Sequence, residues 1–378
     1  MATAIAQDIP PEEEAPIRRK FPCDQCGARL DFDPTVTSLK CPYCGGTKTI
    51  YTDYTPVQER DFEHYAANAG EYEKTIAGRS QQTKCGGCGA VVLLEDNVAT
   101  DRCPFCATHL EAPEPAEGLI HPESILPFAI DYRKAKQAFE KWIGDRWFAP
   151  SGLKQLANLG RLNGIYVPFW TYDAMTYTRW HGRRGEEKVD GVDPMTDDLS
   201  IVAFVGMRNN SRRQIVWRDV TGEVHHFFDD TLICSSTSIP LEQIMQLQPW
   251  DLDNLVGFKP EYLSGFKTQR YAIDLQQGFE LARVMMEPTI KGLCLNDIGG
   301  DYQILDGHNT KHAQVTFKHV LLPVWLASYR YYNKVYQIMV NARTGEVVGD
   351  RPWSIFKIGF VSILLLALAA LILWFTQP

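Results

Sequence analysis

The chain has 378 residues, 22% of them charged and 45% hydrophobic, with a formal charge of −8 at neutral pH. That length holds two or three domains, and that balance folds around a core instead of staying disordered. The acidic sign counts against wrapping of nucleic acid, because phosphate backbones are bound by clustered Lys and Arg.

Residues 1–20 are rich in Pro and Glu and carry no apolar run, so they read as a disordered leader and not as a secretory signal. Residues 21–50 contain CDQCGARLDFDPTVTSLKCPYC, which sets Cys23, Cys26, Cys41 and Cys44 as two Cys-x-x-Cys pairs. Residues 51–82 form a spacer in which Phe62, Tyr65, Ala69 and Tyr72 recur at helical spacing, predicting a helix within 56–78. Residues 83–110 repeat the first pattern as CGGCGAVVLLEDNVATDRCPFC, with Cys85, Cys88, Cys103 and Cys106. At an offset of 62 the two copies share the four cysteines, Gly-Ala after the first pair, and Pro plus an aromatic inside the second.

Zinc prefers four soft thiolates in a tetrahedron, and a Cys-x-x-Cys turn supplies two sulfurs from one tight loop. The pattern predicts two small zinc ribbons, each holding one structural Zn2+. Iron in a rubredoxin-like site and a redox dithiol are the competing readings. With a complete thiolate shell no catalytic position is open, so no catalytic residue is assigned here. Paired Cys-x-x-Cys motifs without a signal also point to a reducing compartment. Cys234 and Cys294 stand alone and read as buried small apolar residues. The first ribbon carries three basic and three acidic residues and the second two and four. Neither shows a basic face with interleaved aromatics, so protein contact ranks above nucleic-acid binding, which is the runner-up.

EAPEPAEG at 111–118 reads as a linker, and the pattern changes after it. Across 119–352 a helix is predicted at 131–147 and strands at 164–180, 200–208, 213–219 and 223–229. A second helix follows at 273–292, then strands at 302–306, 312–319, 322–332, 334–341 and 346–349. Helix first and strands after, twice, argues for an α+β domain with antiparallel sheets. A fainter internal repeat, 125–230 and 265–350, rests on two matches: YVPFWTYDAMTY with LLPVWLASYRYY, and the Thr-Gly-Glu-Val of 221–224 with that of 344–347. The second match is expected at a strand–turn–strand, and chance similarity is the competing reading. His308 and His312 with His319 nearby read as loop residues, and His225–His226 beside Asp229–Asp230 as a solvated strand end. No Gly-x-x-x-x-Gly-Lys-Ser/Thr occurs, so no nucleotide-driven motor is expected.

Residues 353–378 include IGFVSILLLALAALILWF, 358–375, without charge or proline. At ~1.5 Å per residue this run is about 27 Å long, close to a bilayer core. Trp353 and Trp374 suit the two interfaces, and Arg343, Arg351 and Lys357 precede the run. The positive-inside tendency then puts the preceding domains in the cytoplasm, with 355–375 crossing the bilayer as a single-pass tail anchor.

LLPVWLASYRYYNKVYQIMVNARTGEVVGDRPWSIFKIG at 321–359, joined to two ribbons and a final apolar helix, resembles a family of bacterial zinc-ribbon membrane proteins. Its members are labelled TFIIB-type zinc-ribbon proteins or, on the ribbon alone, primosomal helicase-like. Pro323, Trp325, Tyr329, Tyr331, Lys334, Tyr336, Asn341, Gly345, Gly349 and Pro352 carry the resemblance most specifically. It implies an adaptor at the cytoplasmic face of the inner membrane, in envelope maintenance, with stomatin/flotillin-type or phage-shock protein A-like partners. A non-enzymatic scaffold is therefore the leading expectation. A membrane-tethered nucleic-acid binder comes second, and an enzyme in 119–352 third.

Overall fold

The computed structural model describes residues 21–51, 57–67, 81–94, 103–106, 108, 110, 114–115, 120–148, 162–189, 213–331, 334–351 and 353–376. The leader, most of the 56–78 spacer and the strand expected at 200–208 lie outside them.

The first ribbon is a three-stranded antiparallel sheet of β1 (Asp31–Asp33), β2 (Ser38–Lys40) and β3 (Thr47–Thr49). A short strand, β4 (Arg60–Asp61), leads into helix α1 (Phe62–Ala67). The second ribbon contributes the hairpin β5 (Gln81–Lys84) and β6 (Val91–Leu94), and β7 (Glu114–Pro115) pairs back onto β5. The segment expected as a linker is thus partly a strand tied to that ribbon.

The body begins with β8 (Ser124–Ile125) and helix α2 (Tyr132–Gly144), whose N-cap Asp131 accepts from the Lys134 N–H at 2.8 Å. Three very long strands then dominate: β9 (Asn163–Val189), β10 (Arg213–Cys234) and β13 (Tyr302–Tyr331). Between them come α3 (Leu241–Gln246), β11 (Val256–Gly257), β12 (Lys267–Gln269) and α4 (Leu275–Ile298). β14 (Lys334–Asn341) and β15 (Val347–Gly349) follow, and α5 (Ile355–Thr376) ends the described chain.

β9 is central, with β10 and β13 antiparallel on its two sides. Its 27 residues run about 90 Å at ~3.3 Å each. Where separate strands were expected at 302–306, 312–319 and 322–332, the chain runs on as one strand with bulges at Leu305/Gly307 and Ala313/Thr316. His308 and His312 are therefore strand residues, not loop residues. Along β9, Trp170, Tyr172, Ala174, Thr176, Thr178 and Trp180 alternate inward. They face the stripe Leu275, Gly278, Ala282, Met286, Ile290, Cys294 and Ile298 of α4, the three-to-four spacing of a packed helix face. Gly278 permits the close approach: a Cβ there would stand 2.4 Å from the Tyr172 hydroxyl. Cys234 and Cys294 are buried in two different apolar clusters.

The two Pro-x-Trp segments pair antiparallel about a single point. Val167 pairs with Leu322, and these are the same position of the Pro-x-Trp motif in its two copies. Around that pair, Tyr166 meets Pro323 and Pro168 meets Leu321. The Trp170 indole N–H donates to Ile273 O at 2.9 Å, and the Trp325 indole N–H to Ile130 O at 2.8 Å. Ala272 and Ile273 N–H both donate to Ser235 O, while Ala129 and Ile130 N–H both donate to Ala342 O. Each tryptophan thus fixes the start of the other half's helix. The correspondence places Ala129-Ile130-Asp131 on Ala272-Ile273-Asp274. The Thr-Gly-Glu-Val segments, by contrast, are not equivalent. Thr221-Gly222 lies mid-strand in β10, paired with His181 and Trp180, whereas Thr344-Gly345 sits in the turn between β14 and β15.

His319 is buried beneath Trp170, ring centroids 4.6 Å apart, and its Nδ1 hydrogen-bonds Ile120 O at 2.9 Å. Burial, then repulsion from Arg60 and His121, pushes its pKa down to about 4 from 6.5. Between those values the native protein holds fewer protons than the unfolded chain, so this group withdraws stability as pH falls from 6.5 to 4, by about 3 kcal/mol at most. His319→Gln keeps a donor for Ile120 O and does not titrate. Denaturant titrations should show wild type losing about 3 kcal/mol relative to this variant across that window. A pH-independent difference would remove the assignment.

Among the described residues no helix qualifies as a membrane crossing. Helix α5 has 22 residues. Its apolar side chains stand open on all sides, with Phe356 89% and Leu366 71% exposed.

Candidate metal centres

Ribbon one builds its site from two knuckles. In the first, Cys23 N–H donates to Ala28 O at 2.7 Å and Gly27 N–H to Cys23 O at 2.8 Å. In the second, Cys41 N–H donates to Gly46 O at 2.8 Å and Gly45 N–H to Cys41 O at 3.1 Å. Gly27 and Gly45 have φ of 68° and 76°, the left-handed conformation that closes each turn and favours glycine. Ribbon two repeats the device: Cys85 N–H donates to Ala90 O, Gly89 has φ 74°, and Cys103 N–H donates to Thr108 O.

The turns bring four sulfurs together twice. Cys23, Cys26, Cys41 and Cys44 form one cluster and Cys85, Cys88, Cys103 and Cys106 the other, with all sulfurs of a cluster within 4.8 Å of one another. Cys23–Cys44 and Cys26–Cys41 are both 3.5 Å apart; Cys85–Cys106 and Cys88–Cys103 are 3.4 and 3.7 Å apart. A tetrahedron with Zn–S of about 2.3 Å has edges of about 3.8 Å, so both clusters suit a structural Zn2+ after a small outward movement. The sulfurs split within each cluster: against its backbone bond to Gly46, Cys44 is pushed up by Cys23, Cys26 and Cys41, and Cys88 is pushed up by Cys103, while one thiol of each cluster falls well below the usual range. The N–H groups of Cys44 and Tyr43 draw Cys41 down to about 6. The Cys88 sulfur, with the N–H groups of Cys106 and Phe105, draws Cys103 down to about 5.

The two sites differ in depth. Cys26 and Cys44 are exposed in ribbon one, whereas in ribbon two only Cys88 is. Neither ribbon is a free-standing module reaching away from the body. Phe32 of ribbon one stacks edge-on against Tyr262 at 5.3 Å, its N–H donates to Ser264 O, and Ser264 Oγ donates to Leu30 O. Ribbon two enters the main sheet, since β6 pairs with β12 and β12 runs parallel to β9. Its Phe105 is fully buried, and the Phe105 and Pro104 carbonyls accept from Gln337 Nε2 and Ser328 Oγ, both at 2.8 Å. Sequence reasoning missed this docking because its partners lie far along the chain.

Among the described residues the other histidines and carboxylates do not assemble into a four-ligand site. His308 Nε2 contacts Glu287 Oε1 at 2.9 Å, His312 lies against Phe279 and His319 sits in the core. Asp173, Asp229 and Asp230 do cluster, at a bulge between Phe228 and Thr231. Lys318 already fills the cationic role there, with Nζ 2.7 Å from Asp230 Oδ1 and 3.3 Å from Glu59 Oε1. Burial raises Asp173 to about 7.

Two four-cysteine clusters ahead of a sheet-rich α+β body define a double zinc-ribbon protein. The chain is 26% identical over 343 residues to the Bacillus subtilis (strain 168) protein described as "Uncharacterized protein YdjG", covering 89% of this chain and 91% of that one. No protein-family model and no solved structure matches.

Proposed function

We propose that the protein is a membrane-anchored, zinc-stapled scaffold that presents a rigid β body to protein partners at the cytoplasmic face of a bacterial inner membrane. The observation that carries this reading is α5. It leaves Phe356, Phe360, Ile363, Leu366 and Leu371 exposed around its circumference, far more apolar surface than a soluble helix shows. Its 22 residues are about 33 Å long, enough for a hydrocarbon core. Trp353 and Trp374, 57% and 70% exposed, suit the two interfaces, and the charge bias before α5 favours a cytoplasmic body.

The closed thiolate shells argue for rigidity and against zinc chemistry. Ribbon one turns Tyr43, 83% exposed, away from the body, which makes its tip the first candidate for partner contact. Stomatin/flotillin-type or phage-shock protein A-like partners follow from the family resemblance. The anchor is tested by carbonate washing of membranes from cells making the full chain or a chain ending at Asp350. The full chain should stay in the pellet and the shortened one should move to the supernatant; a full chain that washes off would sink the reading.

A further inference from the structure

The base of α5 is built, not bare. The segment after α2 folds back on it: Ser354 N–H donates to Phe148 O, and Lys357 Nζ donates to Trp147 O, both at 2.9 Å. Trp147 and Trp353 are brought to the same level, 53% and 57% exposed, with Phe148 between them, 5.1 Å from Trp147 and 6.2 Å from Trp353 by ring centroid.

Three cations converge on this collar. The Arg146 guanidinium lies 3.7 Å over the Trp142 ring and the Arg351 guanidinium 4.4 Å over Trp353, while Lys357 Nζ stands 5.8 Å from Trp147. Such clustering runs against a chain whose net charge is −8. The two guanidiniums repel: burial first, then Arg351, pulls the Arg146 pKa down, and Asp145 opposes this. Arg146 spends Nη1 on Trp142 O at 2.7 Å. Arg351 Nη1 is buried and meets no hydrogen-bond acceptor among the described residues. A buried guanidinium N–H without an acceptor is costly, and beside a second cation an anion relieves both penalties.

We propose that Arg146, Arg351 and Lys357 bind the phosphate of an anionic phospholipid headgroup, with Trp147 and Trp353 seated at the headgroup–acyl boundary. The proposal rests on the reading of α5 as a membrane anchor. Phosphate chemistry follows from the planar, multidonor guanidiniums. A lipid, and not a dissolved ion, follows from the continuity of the cationic collar with exposed tryptophans and the apolar helix.

The test uses the full chain in non-ionic detergent, with phosphatidylglycerol or phosphatidylcholine titrated in and bound lipid counted by native mass spectrometry. Phosphatidylglycerol should bind at least about tenfold more tightly. Arg351→Gln and Arg146→Gln together should abolish the preference, and inorganic phosphate at millimolar concentration should not displace the lipid. Equal binding of the two lipids, or a preference that survives the double substitution, would overturn the proposal. Displacement by phosphate alone would also overturn it, in favour of a dissolved-anion site. The variant's zinc content reports whether it folds; if it does not, Arg351→Lys should keep the preference that Arg351→Gln weakens. Because binding is read in detergent, carbonate extraction separates the two claims. A chain that washes off membranes yet prefers phosphatidylglycerol loses the anchor and keeps the site. A chain that resists washing without a preference keeps the anchor and loses the site.

Discussion

Serine at Cys103 should unfold the β body, while serine at Cys26 should disturb ribbon one alone. Cys103 is 2% exposed, and the apolar cluster around it includes Phe105, Val92, Leu126, Phe169 and Val324, residues of the ribbon and of the body alike. The hairpin that carries ribbon two is hydrogen-bonded through β12 to β9, so its loss opens the edge of the central strand. A structural zinc contributes on the order of 10 kcal/mol, comparable to the whole stability of a typical domain. Cys26 lies exposed, and ribbon one, although its Leu30, Phe32, Leu39 and Ile50 share a core cluster with Phe128 and Tyr166, keeps its own three-stranded sheet outside the long-strand sheet. Elemental analysis with thermal melting checks the contrast. Cys26→Ser should retain one zinc and a cooperative transition, and Cys103→Ser should show no cooperative transition. A Cys103→Ser protein that melts like wild type would mean that ribbon two is an accessory to the fold.

Removing Trp170 should cost more than removing Trp325, although each holds the carbonyl just before a helix cap in the same way. Trp170 is fully buried, packed against Tyr271 at 5.2 Å and His319 at 4.6 Å, and its N–H holds Ile273 O just before the Asp274 cap of α4. Trp170→Ala leaves a cavity and an unpaired carbonyl at the start of the longest helix of the body, a loss of about 3–5 kcal/mol. Trp325 is 7% exposed and helps line a cavity of about 510 Å³ between ribbon one and the body, with Tyr132 and Phe266. Water can enter there, so Trp325→Ala should fall at or below the lower end of that range. Chemical denaturation of the two variants orders them, and a larger loss at Trp325 would contradict the burial argument.

The metal ligands were legible because zinc demands one residue type at fixed spacing, and no distant contact is needed to recognise it. The helices starting at Tyr132 and Leu275 were legible to within a few residues, since each follows an Asp cap and carries apolar residues at helical spacing. Strand lengths were not. Residues 183–188 lie beyond the strand expected at 164–180, yet they pair with β10, and 183–185 also with β13, where one sheet face is open to solvent and tolerates charge. The Thr-Gly-Glu-Val match misled because the same four residues serve a mid-strand position in one half and a turn in the other. The local correspondence is written more plainly in Ala-Ile-Asp, whose meaning emerges only once Trp170 and Trp325 are seen to bond to it. The collar at α5 brings Arg146 within electrostatic reach of Arg351 and places Lys357 on the Trp147 carbonyl, a proximity that no local pattern announces.

Zinc K-edge X-ray absorption on the full chain, with elemental analysis of the same sample, tests the central claim most directly. The account predicts two zinc ions per chain, each with four sulfur neighbours at about 2.3 Å and no nitrogen or oxygen ligand. A stoichiometry well below two, or a first shell containing light atoms, would contradict it.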